Sequence, residues 1–77
     1  DYNTAITHCE IIKKLFPDFI SINHNMGCYY HVKGLKENDL EAIKKSEDCF
    51  LYALKNEADD NVQIKVEYAL FLIMQQR

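Results

Sequence analysis

The chain has 77 residues, 48% of them hydrophobic and 27% charged, with a formal net charge of -3. That balance excludes a disordered tail and allows one small folded domain, of a size whose core is marginal without neighbours. Lys and Glu are interspersed, with no basic patch for nucleic acid, and the longest apolar run, Tyr68–Met74, is far short of a membrane span.

The first element is expected over about 3–16. Ala5, Ile6, Cys9, Ile12, Leu15 and Phe16 recur at offsets of three and four, which draws one helical stripe. Asp1 and Asn3 are available as N-caps, and Lys13 and Lys14 suit the last turn. Glu10 and Lys14 form a favourable exposed pair. Pro17 ends the helix and pushes Phe16 out of the helical region.

A second helix is expected over 18–33. Asp18 is its expected N-cap, with Phe19, Ile22, Met26, Tyr29 or Tyr30, and Lys33 along one face. Gly34 reads as the C-terminal stop. Gly27 is the anomaly, because a mid-helix glycine costs about 0.8–1 kcal/mol against alanine. Close approach of a neighbouring helix is the usual compensation.

The third helix is expected over 39–56, opened by the capping-box spacing of Asn38 and Glu41. Ile43, Ser46, Phe50, Ala53, Leu54 and Glu57 trace its inner face, while Glu41, Lys44, Lys45 and Asp48 make a solvated one. A turn over 58–61 leads to a fourth helix over 61–76. Its run Tyr68–Met74 is apolar nearly all round, the pattern of a helix covered on two sides, with nothing in the sequence to cover the second. The architecture expected is all-α, four helices with short loops and antiparallel sequential neighbours. The absent initiator Met and the abrupt ends suggest a piece of a larger protein.

Cys9, Cys28 and Cys49 are odd in number and form no close pair. Free thiols in a reducing compartment are the simplest reading, and point to the cytoplasm.

Two sub-patterns repeat. Ala5, Cys9 and Ile12, followed by Pro17, have the offsets of four and three that return at Ser46, Phe50 and Ala53; between them stand Met26, Gly27 and, three residues on, Tyr30. This resembles the tetratricopeptide repeat, a helical hairpin of about 34 residues. Met26, Gly27 and Tyr30 match its first-helix signature, and Ser46, Phe50 and Ala53 its second helix. Ala5, Cys9, Ile12 and Pro17 match the end of a preceding repeat; Tyr68, Ala69 and Leu72 match more loosely the start of a following one. The sequence departs from the pattern at Asn23, where the family has a large aromatic, and at Ala58, in place of a closing proline. The loop between the paired helices is also about seven residues longer than in the usual repeat.

The resemblance implies antiparallel hairpins stacked as a fragment of a right-handed α-solenoid, about two repeats that begin and end mid-repeat. It implies a protein–protein or peptide-binding scaffold with no catalysis of its own and no cofactor. By position, the groove lining would be Ser21, His24, Cys28 and His31, with Gln63, Val66, Leu70 and Ile73 from the last helix. That lining is neutral and mixed, unlike the family's basic clamp for C-terminal carboxylates. The partner would be a protein or peptide in that groove, together with adjoining repeats or a second copy on Tyr68–Met74.

Two alternatives come from the residues alone. His24, Cys28 and His31 share one helical face and carry zinc-ligand chemistry, with a fourth ligand to be sought at Cys49 or His8. The other alternative is self-association through Tyr68–Met74. A Cys/His nucleophile is disfavoured, because helical neighbours supply no oxyanion hole and no orienting third group.

Overall fold

Asp1 opens the first helix, its Oδ1 accepting the Asn3 N–H at 2.9 Å. In the computed structural model this helix, α1, spans Tyr2–Leu15 and is followed by α2 (Ile22–Glu37), α3 (Leu40–Asn56) and α4 (Val62–Gln75). The structure describes residues 1–19, 21–56 and 62–75. Glu57 of the expected inner face of α3, the expected turn over 58–61 and the expected helix end at 76 lie outside them. Among the described residues every regular element is helical, so the chain is all-α.

α1 stops where the proline requires. Phe16 leaves the helix at φ -132 and ψ 70, and its N–H donates to the Ile12 carbonyl at 2.8 Å. Asp18 does not cap α2 as expected. The Phe19 N–H turns back to the Phe16 carbonyl at 2.9 Å, and α2 begins only at Ile22, with Ser21 preceding it. Pro17 sets the first turn, and the chain needs several more residues to reverse direction. Phe19, expected on the inner face of α2, is therefore half exposed.

Gly34 is not the stop either. α2 runs on to Glu37, and Asn38 takes the left-handed conformation at φ 51 and ψ 41. Asparagine tolerates that region, and the Asn38 and Asp39 N–H groups both reach the Gly34 carbonyl. Asn38 in that conformation cannot open α3; Asp39 does, its Oδ1 accepting the Ala42 N–H at 3.2 Å.

α2 is the centre of the packing: it touches α1, α3 and α4, while the backbone of α1 approaches neither α3 nor α4. Tyr2 at the start of α1 donates to Glu37 at the end of α2, and Lys33 Nζ donates to Asn3 at 2.9 Å, so the two helices are antiparallel. Glu10, expected to pair with Lys14, accepts instead from the Tyr30 hydroxyl at 3.0 Å. Ile6 and Cys9 meet Ile22, Met26, Tyr30 and Ala42 in one buried cluster, with Ile12 and Cys49 against it.

α2 and α3 approach closely at two glycines. A Cβ on Gly27 would stand 3.1 Å from three ring atoms of Phe50. Across the same contact Ser46 Oγ donates to the Gly27 carbonyl at 2.6 Å. Gly34 is pressed harder: a Cβ there would fall inside the side chain of Ile43 and 3.1 Å from its backbone nitrogen. Both glycines serve close approach. Ser46, Phe50 and Ala53, the inner stripe of α3, are buried almost completely.

Candidate functional site

His24, Cys28 and His31 are spaced four and three apart, so α2 presents them on one side. That side faces α4. His24 Nε2 lies 3.6 Å from Glu67 Oε1, and the Cys28 thiol donates to Glu67 Oε2 at 3.4 Å. One turn on, the His31 ring meets Phe71 edge-on at 4.8 Å, and Gln75 Nε2 lies 3.2 Å from His31 Nε2. Positions rise together along the two helices, so α2 and α4 run in the same direction, opposite to α3.

Two groups of this seam, Cys28 and His31, are shifted towards their neutral forms. Burial pushes the Cys28 thiol up to about 12, and the charge and hydrogen bond of Glu67 add to the shift. It remains a protonated donor over the ordinary pH range, neither a nucleophile nor a ready metal ligand. Burial lowers the His31 pKa. With the Gln75 amide N–H as donor, the contact takes a neutral imidazole accepting at Nε2, a role that depends on the ring's tautomer.

Beside this contact a cleft of about 270 Å³ opens between α2 and α4. Its lining is Cys28, His31 and Val32 from α2, Phe50 from α3, and Glu67, Leu70, Phe71 and Met74 from α4. Phe71 forms its floor, 5.7 Å from Phe50 and stacked on Tyr68 at 5.9 Å, while Tyr68 donates to Glu47 at 3.1 Å. A larger depression of about 530 Å³ shares Val32 with it and is otherwise lined by Asp1, Tyr2, Ala5, Tyr29 and Lys36. The smaller cleft is the better candidate, because it is built on an aromatic floor and gathers the expected residues.

Of those expected residues, Cys28, His31 and Leu70 line the cleft, and His24 sits at its edge against Glu67. Ser21 is half-buried ahead of α2, and Gln63, Val66 and Ile73 are exposed; these four lie outside the lining. The α4 residues that turn inward are Ile64, Glu67, Tyr68, Phe71 and Gln75; Ile64, Glu67 and Phe71 stand one position on from the expected Gln63, Val66 and Leu70. Glu67 and Phe71 were missed because a helix apolar nearly all round does not declare its inner face. The one available signal was Glu67, the lone acidic residue of α4.

Among the described residues no group of three or more His, Cys, Asp or Glu side chains is arranged to hold a metal ion. Cys49, one of the sought fourth ligands, packs instead against the cluster around Cys9. No helix among the described residues is long and apolar enough to cross a membrane. No protein-family model, curated protein or solved structure matches the chain.

Proposed function

We propose that the chain is a tetratricopeptide-like interaction module that binds a peptide or protein segment in the cleft between α2 and α4, without catalysis of its own. The observation that carries this reading is the cleft itself: two parallel helices joined by a polar seam, with an aromatic floor beside it and Cys28, His31 and Leu70 in its lining. The interlock of Gly27 with Ser46 and Phe50 supports it, since the residues that carry the resemblance are the ones that pack α2 on α3. On this reading the hairpins form part of a right-handed solenoid, and the module works in the cytoplasm, where Cys9, Cys28 and Cys49 stay reduced.

The test is an amide-shift map of the chain against a library of short peptides. Binders should move the signals of Cys28, His31 and Leu70 together, and Leu70→Asp should abolish the response. Shifts confined to the exposed face of α4 would transfer the binding role there.

A second reading, self-association, has its own observation. Val62, Val66, Leu70, Ile73 and Met74 are each at least 50% exposed on α4. Sedimentation decides between them: a monomer mass at every concentration removes the homodimer. The zinc reading has less support, since the seam pairs its thiol with a carboxylate and keeps it protonated.

A further inference from the structure

Within the cleft one side chain is out of keeping with its surroundings. Glu67 is the single formally charged residue of the lining, set beside Phe71, Leu70 and Met74. Its Oε1 is buried without a hydrogen bond, and the neighbouring His24 Nε2, at 3.6 Å, is beyond hydrogen-bond reach. Its Oε2 accepts one hydrogen bond, from the weak donor Cys28. A carboxylate offers about four lone-pair sites. No Lys or Arg pairs with it among the described residues. Oε1 itself is closed to solvent, so an outside donor approaches at Oε2, which only the weak thiol donor occupies, on a side chain that keeps 26% of its surface exposed. A half-satisfied carboxylate at an apolar cleft asks for a donor from outside.

We infer that the α2–α4 cleft selects segments in which an apolar side chain stands beside a basic one, the apolar group resting on Phe71 and the cation pairing with Glu67. This rests on the cleft being the peptide site proposed above and adds the chemistry of the ligand. Leu70 and Met74, each more than half exposed at the mouth, would close over the apolar group. An acidic segment would bring a second negative charge to Glu67, which has no Lys or Arg beside it among the described residues, and a wholly apolar one would cover the carboxylate without satisfying it.

Two matched probes test it: acetyl-Leu-Lys-Lys-Leu-amide and acetyl-Leu-Glu-Glu-Leu-amide, titrated into the whole chain at low ionic strength and followed by amide shifts. The lysine peptide should bind about tenfold tighter, the size of one charge-assisted hydrogen bond, with the largest shifts at Glu67 and Leu70. In Glu67→Gln, which keeps an oxygen to accept the Cys28 thiol, that advantage should fall below about threefold. Glu41→Gln, in the exposed first turn of α3, should leave it intact. Equal binding of the two peptides, or a preference that survives Glu67→Gln, overturns the inference and leaves the cleft as a peptide site. Absence of shifts at the cleft with both probes overturns the site and the inference together. Should Glu67→Gln fail to fold, the shift map of the parent chain still decides: a lysine advantage not centred on Glu67 overturns it.

Discussion

α2 and α4 run in the same direction and meet α3 from the same side, yet the chain treats them differently. α2 is gripped between α1 and α3, and it carries two glycines where α3 comes close. Among the described residues α4 is held on one side only, by Ile64, Phe71 and the seam to α2, and exposes Val66, Leu70 and Ile73. The difference separates two uses of apolar surface. On α2 it is spent on a packed core with little slack. On α4 it stays available to something outside the described residues.

The sharpest way to break the comparison is to overfill α2. Gly27→Leu forces a side chain into the Phe50 ring, and we expect a loss of about 3 kcal/mol or failure to fold. An unchanged thermal melt would end the close-approach account. Phe50→Ala attacks the same contact from the other side. With Phe50 1% exposed, about 3–5 kcal/mol should be lost, read by denaturant titration. Gly34→Ala is subtler, since the helix gains about 1 kcal/mol from alanine while the Ile43 contact loses more. A net destabilisation of about 1–2 kcal/mol is expected; a stabilised variant would mean that Ile43 and its backbone move aside freely.

The seam between the two helices titrates. Cys28 has a folded pKa raised to about 12 from 9.0, so its protonated form is favoured by the fold. Its contribution is whole below pH 9 and is lost as the pH climbs from about 9 towards 12. Alkylation mapped by mass spectrometry at pH 8 should find Cys28 at least about tenfold slower than a free thiol, because so little thiolate is present. Equal rates would show that the Cys28–Glu67 contact does not hold in solution. On the far side of α4 the smallest effect is expected. Ile73→Ser should change stability by no more than about 0.5 kcal/mol, whereas any concentration dependence of the sedimentation coefficient should disappear.

Much of this was legible in the chain. Ile6, Cys9 and Ile12 of α1 and Ser46, Phe50 and Ala53 of α3 follow from spacing alone, although Leu15 and Phe16 of the expected α1 stripe are exposed, and Gly27 announced close packing by its cost in a helix. Helix ends were read less well. Asp18 and Asn38 have the chemistry of N-caps, but the turn after Pro17 and the left-handed conformation of Asn38 assigned that role elsewhere. Gly34 has the chemistry of a stop, yet Ile43 claims it for contact. A capping residue competes with its neighbours for the same few backbone groups, and the winner depends on where the next helix must lie.

The candidate site divides in the same way. The sequence by itself determined that His24, Cys28 and His31 share a face, because helical periodicity is local. Only the tertiary structure decided what that face meets. Glu67 comes from 39 residues beyond Cys28, on a helix whose apolar surface gives no preferred inside, and the packing of Phe71 on Phe50 sets its rotation. Periodicity is a property of neighbouring residues; the pairing of two faces depends on the whole packed core.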